Sequence, residues 1–285
     1  MKTPSRHLGT PTGSIGSPSD PPSTRKLVRS MEKLAANPSI ALQVMWACDD
    51  VKSSARSVGE ASELDPILTA KLLKLANSAM YSLRIPVTNG HRAVAVLGFS
   101  TVRAMAALAA GGEHIRLVPA GFWEHCAAVA AAARGLARRF GASADDAFAL
   151  GLLHELGIAL LEGLQPGGWD LVAARGGGRE VEREVFGITH DAAAVEVFRA
   201  WRLPDTIIEA VQGHARPLGA DPPVLTALLV AAEGLADLAM GPWGPCRAPG
   251  GADALASLAL EPETLDKLVT EVRDIAAGLA GAMVS

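Results

Sequence analysis

Apolar residues recur along this chain at intervals of three and four almost from end to end, and strand-like alternation is absent. That periodicity predicts an all-α protein. Asp65-Pro66 reads as an N-cap followed by proline at the first helical position, and Ile67, Leu68, Leu72, Leu75 and Ala76 then hold one helical face as far as Asn77-Ser78. A further helix is expected from Thr88 to a glycine stop at Gly98, with Ser100 capping the next one. From Phe122 the helices lengthen. Trp123 to Phe140 ends on Arg138 and Arg139 with Gly141 beyond, which suits the negative end of a helix dipole. Ser143 and Asp146 form a capping box opening one helix that carries Leu150, Leu153, His154 and Leu160 and closes at Gly163.

Gly176-Gly177-Gly178 is read as a plain loop, because no strand precedes it to make a phosphate cradle. Thr189 is expected to cap a helix through Trp201, Pro204 to start another ending before Gly213, and Pro222 to Met240 to form an apolar helix. The segment Gly241 to Gly251, rich in Pro and Gly, predicts a flexible connection. Beyond it lies an amphipathic helix from Glu261 to about Leu279. Its apolar side, Leu265, Leu268, Val269, Val272 and Ile275, is expected to pack back on the core.

Composition changes this picture mainly at the ends and in the halves. Met1 to Thr24 is Ser-, Pro- and Gly-rich with few large apolar residues, which predicts a disordered tail over residues 1–25. It lacks the apolar core of a signal peptide, and the Ala-rich runs further on are interrupted by charge, so a cytoplasmic protein with no membrane partner is expected. Cys48, Cys126 and Cys246 are odd in number and widely spaced, which predicts reduced thiols.

The net charge of −4 is uneven. Residues 26–110 carry ten Lys/Arg against six Asp/Glu, residues 111–285 thirteen against twenty-three. The basic residues Lys71, Lys74, Arg84, Arg92 and Arg103 are scattered at helical surface spacing with few aromatics between them, so they read as solvated faces and not as a nucleic-acid stripe.

The chemistry concentrates on the dipeptide His154-Glu155, with His125, His190, His214 and Glu233 strung around it. Neutral imidazole nitrogen and carboxylate oxygen are the ligands of a divalent iron, manganese or zinc ion. An imidazole on an apolar helix is also the kind of group a core satisfies with one hydrogen bond, so the six residues read either as a metal site or as a relic polar cluster. Asp237, one turn past Glu233, is an alternative acid. Asn77 reads as a helix cap, and Trp123, Trp201 and Met80 as core or interface residues.

The order of these motifs resembles the HDOD domain family, a bacterial signalling module related to the HD phosphohydrolases. The resemblance runs from Leu64-Asp-Pro-Ile-Leu-Thr-Ala-Lys-Leu-Leu-Lys-Leu-Ala-Asn-Ser-Ala-Met-Tyr81 through Ala93-Val-Ala-Val-Leu-Gly98, Trp123-Glu-His125, Gly151-Leu-Leu-His-Glu-Leu-Gly157, Glu184-Val-Phe-Gly-Ile-Thr-His190 and Trp201-Arg-Leu-Pro204. It implies a two-lobed helical protein: a front helical lobe over 26–111, an HD-like lobe over 112–240, then the connection and last helix over 241–285.

It also implies the ligand set of the HD superfamily: His125 as first histidine, His154-Glu155 as the pair, His190 and His214 as extra histidines, Glu233 as the last acid. Both acids are Glu where the superfamily uses Asp, a displacement of about one C–C bond, roughly 1.5 Å, against a metal–ligand tolerance of about 0.2 Å. The related HD-GYP phosphodiesterases carry a Lys where this chain has Ile158, and a His-His pair before Gly-Tyr-Pro where this chain has His214-Ala215-Arg216-Pro217. A cation beside the scissile phosphate stabilises developing charge, and Ile158 supplies none.

The expectation is therefore a non-enzymatic regulatory module with a degenerate metal pocket and no resident cofactor. It would bind a signalling protein or a small ligand such as a nucleotide, and the groove between basic and acidic lobes is the place for a switch. The alternative is a metal-dependent phosphohydrolase acting on a nucleotide or cyclic dinucleotide.

Overall fold

The computed structural model describes residues 39–112, 118–244 and 249–284; the predicted tail over 1–25 and Cys246 lie outside the described residues. Within them every regular element is helical. Helix α1 (Ile40–Asp49) opens on Ser39, whose side chain accepts from Leu42 N, and α3 (Pro66–Ala76) opens on Asp65, which accepts from Ile67 N and Leu68 N. With α2 (Ala55–Ser62) they pack around α4 (Gly90–Ala110). Asn77 does more than end α3: its amide pairs with both Val87 N and Val87 O and so pins the following loop.

Gly98 sits inside α4 at φ 76°, ψ 160°, so the expected stop is a kink between two helical segments. A side chain there would meet the Asp145 carboxylate at 2.9 Å, which leaves glycine as the residue that fits. Ser100 does not cap the second segment; its hydroxyl donates to Asp146 and ties α4 to the helix over Ala144–Leu153.

The back half is built on α5 (Phe122–Leu136), extended by a 3₁₀ turn over Ala137–Phe140 and closed by Gly141 at φ 65°. Its alanines let α6 (Ala144–Leu153) approach to backbone contact: a Cβ on Gly151 would lie 2.5 Å from Ala130 Cα. The single helix expected from Ser143 to Gly163 is two, α6 and α7 (Leu156–Leu164), broken where Glu155 leaves helical geometry at φ −101°, ψ 14°.

The structure adds α8 (Gly168–Ala174) and α9 (Arg179–Phe186), which the periodicity did not single out, on either side of the Gly176–Gly178 loop. Helices α10 (His190–Ala200), α11 (Asp205–His214) and α12 (Val224–Met240) follow. Thr189 precedes α10 without a side-chain cap bond, and α11 runs through His214, one residue beyond the expected stop at Gly213.

The stretch read as a flexible connection leads into a further helix, α13 (Gly251–Ser257), seated so closely on α12 that a Cβ on Gly234 would lie 2.1 Å from Gly251 O. The last helix, α14 (Pro262–Val284), packs back on α5 and α12 through buried Leu268, Val272, Ala276 and Leu279.

One continuous apolar core joins both halves. Residues 90–110 and 144–164 are long and apolar enough to cross a bilayer by composition alone. Each is interrupted, at Gly98 and at Glu155, and contributes its apolar side chains to that core. Cys48 and Cys126 are buried free thiols, and burial pushes Cys48 up to about 12.

Candidate metal centre

Four helices and one break between helices deliver six side chains to one interior spot. His125 comes from the first turn of α5, His154 and Glu155 from the α6–α7 break, His190 from the first residue of α10, His214 from the last of α11 and Glu233 from mid-α12. All six are buried, His125 at 8% and Glu233 at 6% exposure being the most open. Their ligand atoms fall into two groups, His125–His154–Glu233 and Glu155–His190–His214, each with all atoms within 4.8 Å of one another. Glu155 bridges the groups: its Oε2 lies 3.4 Å from His190 Nε2, and its Oε1 4.0 Å from both His154 Nε2 and His214 Nε2.

The hydrogen bonds behind the imidazoles fix which nitrogen faces the centre. His154 Nδ1 donates to Gly151 O at 2.8 Å and His214 Nδ1 to Val211 O at 2.6 Å. His190 Nδ1 donates to Glu182 Oε2 at 2.9 Å, an oxygen that also accepts from His190 N at 2.8 Å. With the proton committed at Nδ1, each ring turns a bare Nε2 lone pair inward, the arrangement that orients and strengthens metal-bound histidines. His125 Nε2 completes the group, 3.2 Å from His154 Nε2.

Burial holds the rings neutral: His125 is pushed down to about 4, His214 to about 3, and His154 well below its usual range, with the neighbouring imidazoles adding to the effect on His154 and His214. Burial pushes Glu155 up to about 7, against the pull of His190.

Such a centre is short of donors. Glu155 Oε2 and His214 Nε2 have no hydrogen-bond donor, although both are buried acceptors. A buried acceptor left unmet costs roughly 1–3 kcal/mol, and acceptors facing one another are stabilised by a cation placed between them. Neutral nitrogen and carboxylate oxygen are the donor set of a borderline divalent metal, so the residues present fit such an ion. Both glutamates reach the imidazoles despite the extra methylene each carries.

Periodicity and motif spacing missed two contributors and one pairing. Glu182, completely buried on α9, orients His190 from eight residues upstream. Trp243, in the stretch read as a flexible connection, stacks on His125 at 4.7 Å and 22° and donates through its indole to Ala120 O. Asp191 makes the chain's one His-Asp dipeptide with His190, yet its carboxylate takes a two-point contact from Arg179 at 2.7 and 3.1 Å and belongs to neither ligand group. The only local signal for Glu182 was a carboxylate on an apolar helix face. Asp237 lines a cavity beside α13 and joins neither ligand group, whereas Glu233 does.

The HDOD domain model matches residues 34–217, more than half of the sequence, over the stretch that carries five of these six side chains. The chain belongs to the HDOD domain family.

Solved structures agree on the fold. A candidate phosphohydrolase from Shewanella amazonensis superposes on this HDOD chain with a TM-score of 0.67 at 22% identity, covering 89% of this chain and 97% of that one. A protein assigned by name to signal transduction, from Marinobacter aquaeolei, gives 0.69 at 23%, covering 92% and 66%. An HDOD domain protein of unknown function from Geobacter sulfurreducens gives 0.59 at 21%, covering 90% and 96%. The comparison with curated proteins gives no match. At these identities the likeness is one of fold.

Proposed function

We propose that this HDOD protein is a non-enzymatic signal-transduction module in which His125, His154, Glu155, His190, His214 and Glu233 hold divalent metal as an internal clasp. The clasp joins α5, the α6–α7 break, α10, α11 and α12 into one signalling lobe. One observation carries the reading: the inward-facing, Nδ1-anchored imidazoles converge in a buried place. A bound ion supplies positive charge that neutralises Glu155 and Glu233.

Hydrolysis needs an open coordination position and a way in for the phosphoester. Here Trp243 covers His125, and at the position where HD-GYP enzymes carry Lys the side chain is buried, apolar Ile158. The output is therefore contact with a signalling protein or a small ligand, and not turnover.

Metal analysis of the purified protein tests this, alongside assay of phosphodiesterase and phosphatase activity with generic aryl phosphates. Bound iron, manganese or zinc without turnover is expected. Turnover that disappears in His154→Ala would overturn the proposal. The second reading, a metal-dependent phosphohydrolase acting on a nucleotide or cyclic dinucleotide, draws support from the name of the Shewanella neighbour and from Glu233, which lines a cavity of about 330 Å³ as well as belonging to the ligand cluster.

A further inference from the structure

A second feature, remote from the metal centre in sequence, lies where the two halves meet. Trp46 on α1 is 41% exposed, an unusual position for the largest apolar side chain. It is held firmly: its indole Nε1 donates to Trp201 O at 3.3 Å, and the Arg202 guanidinium lies 5.7 Å from its ring centroid. Together with Asp49, Asp50, Arg202 and Pro204 it lines a groove of about 390 Å³.

Arg202 adopts a left-handed backbone, φ 59°, as its N–H bonds to Arg199 O and Leu203 N–H bonds to Phe198 O to close α10. Glycine makes that closure at lower cost. An arginine there gains one thing glycine lacks, a guanidinium set over the Trp46 face.

An exposed indole, a proline ring, a multiple donor and two acids make a recognisable chemistry. Proline-rich segments in the polyproline II conformation dock their rings on aromatic grooves, and their backbone carbonyls, unpaired within that helix, need outside donors. Trp46 and Pro204 offer the apolar contact, Arg202 the donors, and Asp50 a carboxylate for a flanking cation.

This chain contains a proline-rich sequence. Ser17-Pro18-Ser19-Asp20-Pro21-Pro22-Ser23-Thr24-Arg25-Lys26 has prolines at a PxxP spacing followed by two basic residues. It lies outside the described residues, in the 38 residues that precede Ser39, and Ser39 caps the helix on which Trp46 sits. Trp46 is seven residues into the chain from that cap, about 10 Å along a helix. Pro21 is eighteen residues from Ser39 in the sequence, and a chain of that length has a root-mean-square reach of roughly 23 Å, enough to span the distance to the groove.

We propose that the groove at Trp46, Arg202 and Asp50 is a docking site for a polyproline II segment, and that its occupant is residues Ser17–Lys26 of this same chain. The occupant and the groove are thus parts of one chain, the groove lying at the junction of α1 with the α10–α11 turn. The site stands whether or not metal is bound. A short tether supplies an effective concentration of about 1 mM, so a segment whose free peptide binds with a Kd of about 0.1 mM is about 90% seated.

The experiment uses the full chain labelled with 5-fluorotryptophan, the Trp46 ¹⁹F resonance being assigned with Trp46→Phe. Pro18→Ala/Pro21→Ala is expected to shift the Trp46 resonance and leave the other four in place. Asp50→Asn moves it part of the way. A synthetic peptide of residues 17–26 added to the double variant restores the wild-type position saturably. All three substitutions fall on exposed or undescribed positions, so folding is not at stake, and the four unmoved resonances report it. An unmoved Trp46 resonance in the double variant overturns the proposal. So does a Trp46 shift that depends on protein concentration, which would make a second copy the occupant.

Discussion

At the scale of single residues, the proton positions behind the imidazoles matter as much as the imidazoles. His190 N and Nδ1 both donate to one buried oxygen of Glu182, so Glu182→Ala frees the ring and leaves Nδ1 without that acceptor. Divalent metal affinity is expected to fall about 10–100-fold, measured by competition with a chromophoric chelator, with helix content by circular dichroism unchanged.

The shifted ionisations predict the pH response of the metal-free chain. His125 and His214 titrate in the fold at about 4 and about 3 against an ordinary 6.5, so the unfolded chain takes up protons that the fold refuses, and stability falls as pH drops below 6.5. His154, shifted the same way, adds to that fall. Glu155 works oppositely: the fold keeps a proton up to about 7 that the unfolded chain releases near 4.5, so this contribution is lost as pH rises through that window. Three imidazoles outweigh one carboxyl. The melting temperature in chelator is expected to rise from pH 4 and to level off near 7; a flat profile from 4 to 6.5 would show that the rings are not held neutral.

The six cluster residues were readable in the sequence because their types and order match a family pattern. Glu182 and Trp243 were not, since a carboxylate or an indole at those positions has no local signature of what it will touch. The His190-Asp191 dipeptide shows the converse: the sequence pairs them, while in the fold the acid is paired with Arg179 and joins neither ligand group.

At the scale of elements, the break between α6 and α7 separates His154 from Glu155 and lets each address a different ligand group. Periodicity alone reads straight through it, because apolar residues continue in phase on both sides. What holds α7 against α10 is the absence of a side chain: a Cβ on Gly157 would lie 1.9 Å from His190 O. Gly157→Ala therefore forces α10 away and displaces His190. A loss of about 2–3 kcal/mol of stability is expected, at the upper end of overpacking effects, read by urea denaturation and accompanied by weakened metal binding. Gly112, with φ 57° but open space around it, is the control: alanine there strains the backbone alone and leaves the His/Glu cluster untouched. Helices α8, α9 and α13 are short, seven or eight residues each, and owe their existence to the surfaces they cover. No window of sequence that short carries enough periodicity to announce them.

At the scale of the molecule, the core is continuous from α1 to α14 while the cluster lies wholly among the back helices. Chelation is thus expected to raise amide exchange in α10, α11 and α12 and to leave α1–α3 protected as before, a contrast that hydrogen exchange with mass spectrometry reads directly. Uniform loosening would mean that the halves respond as one unit. The sequence by itself determined the all-helical class, most of the long helices, the family, and the identity of the six side chains that converge, because helical periodicity and motif order are local properties of the chain. Only the tertiary structure decided that the longer helix breaks at Glu155, that Glu182 and Trp243 complete the site, and that Trp46 stands exposed beneath Arg202. Those facts depend on which distant surfaces meet, and contact between residues far apart in the chain leaves no mark on the pattern of either one.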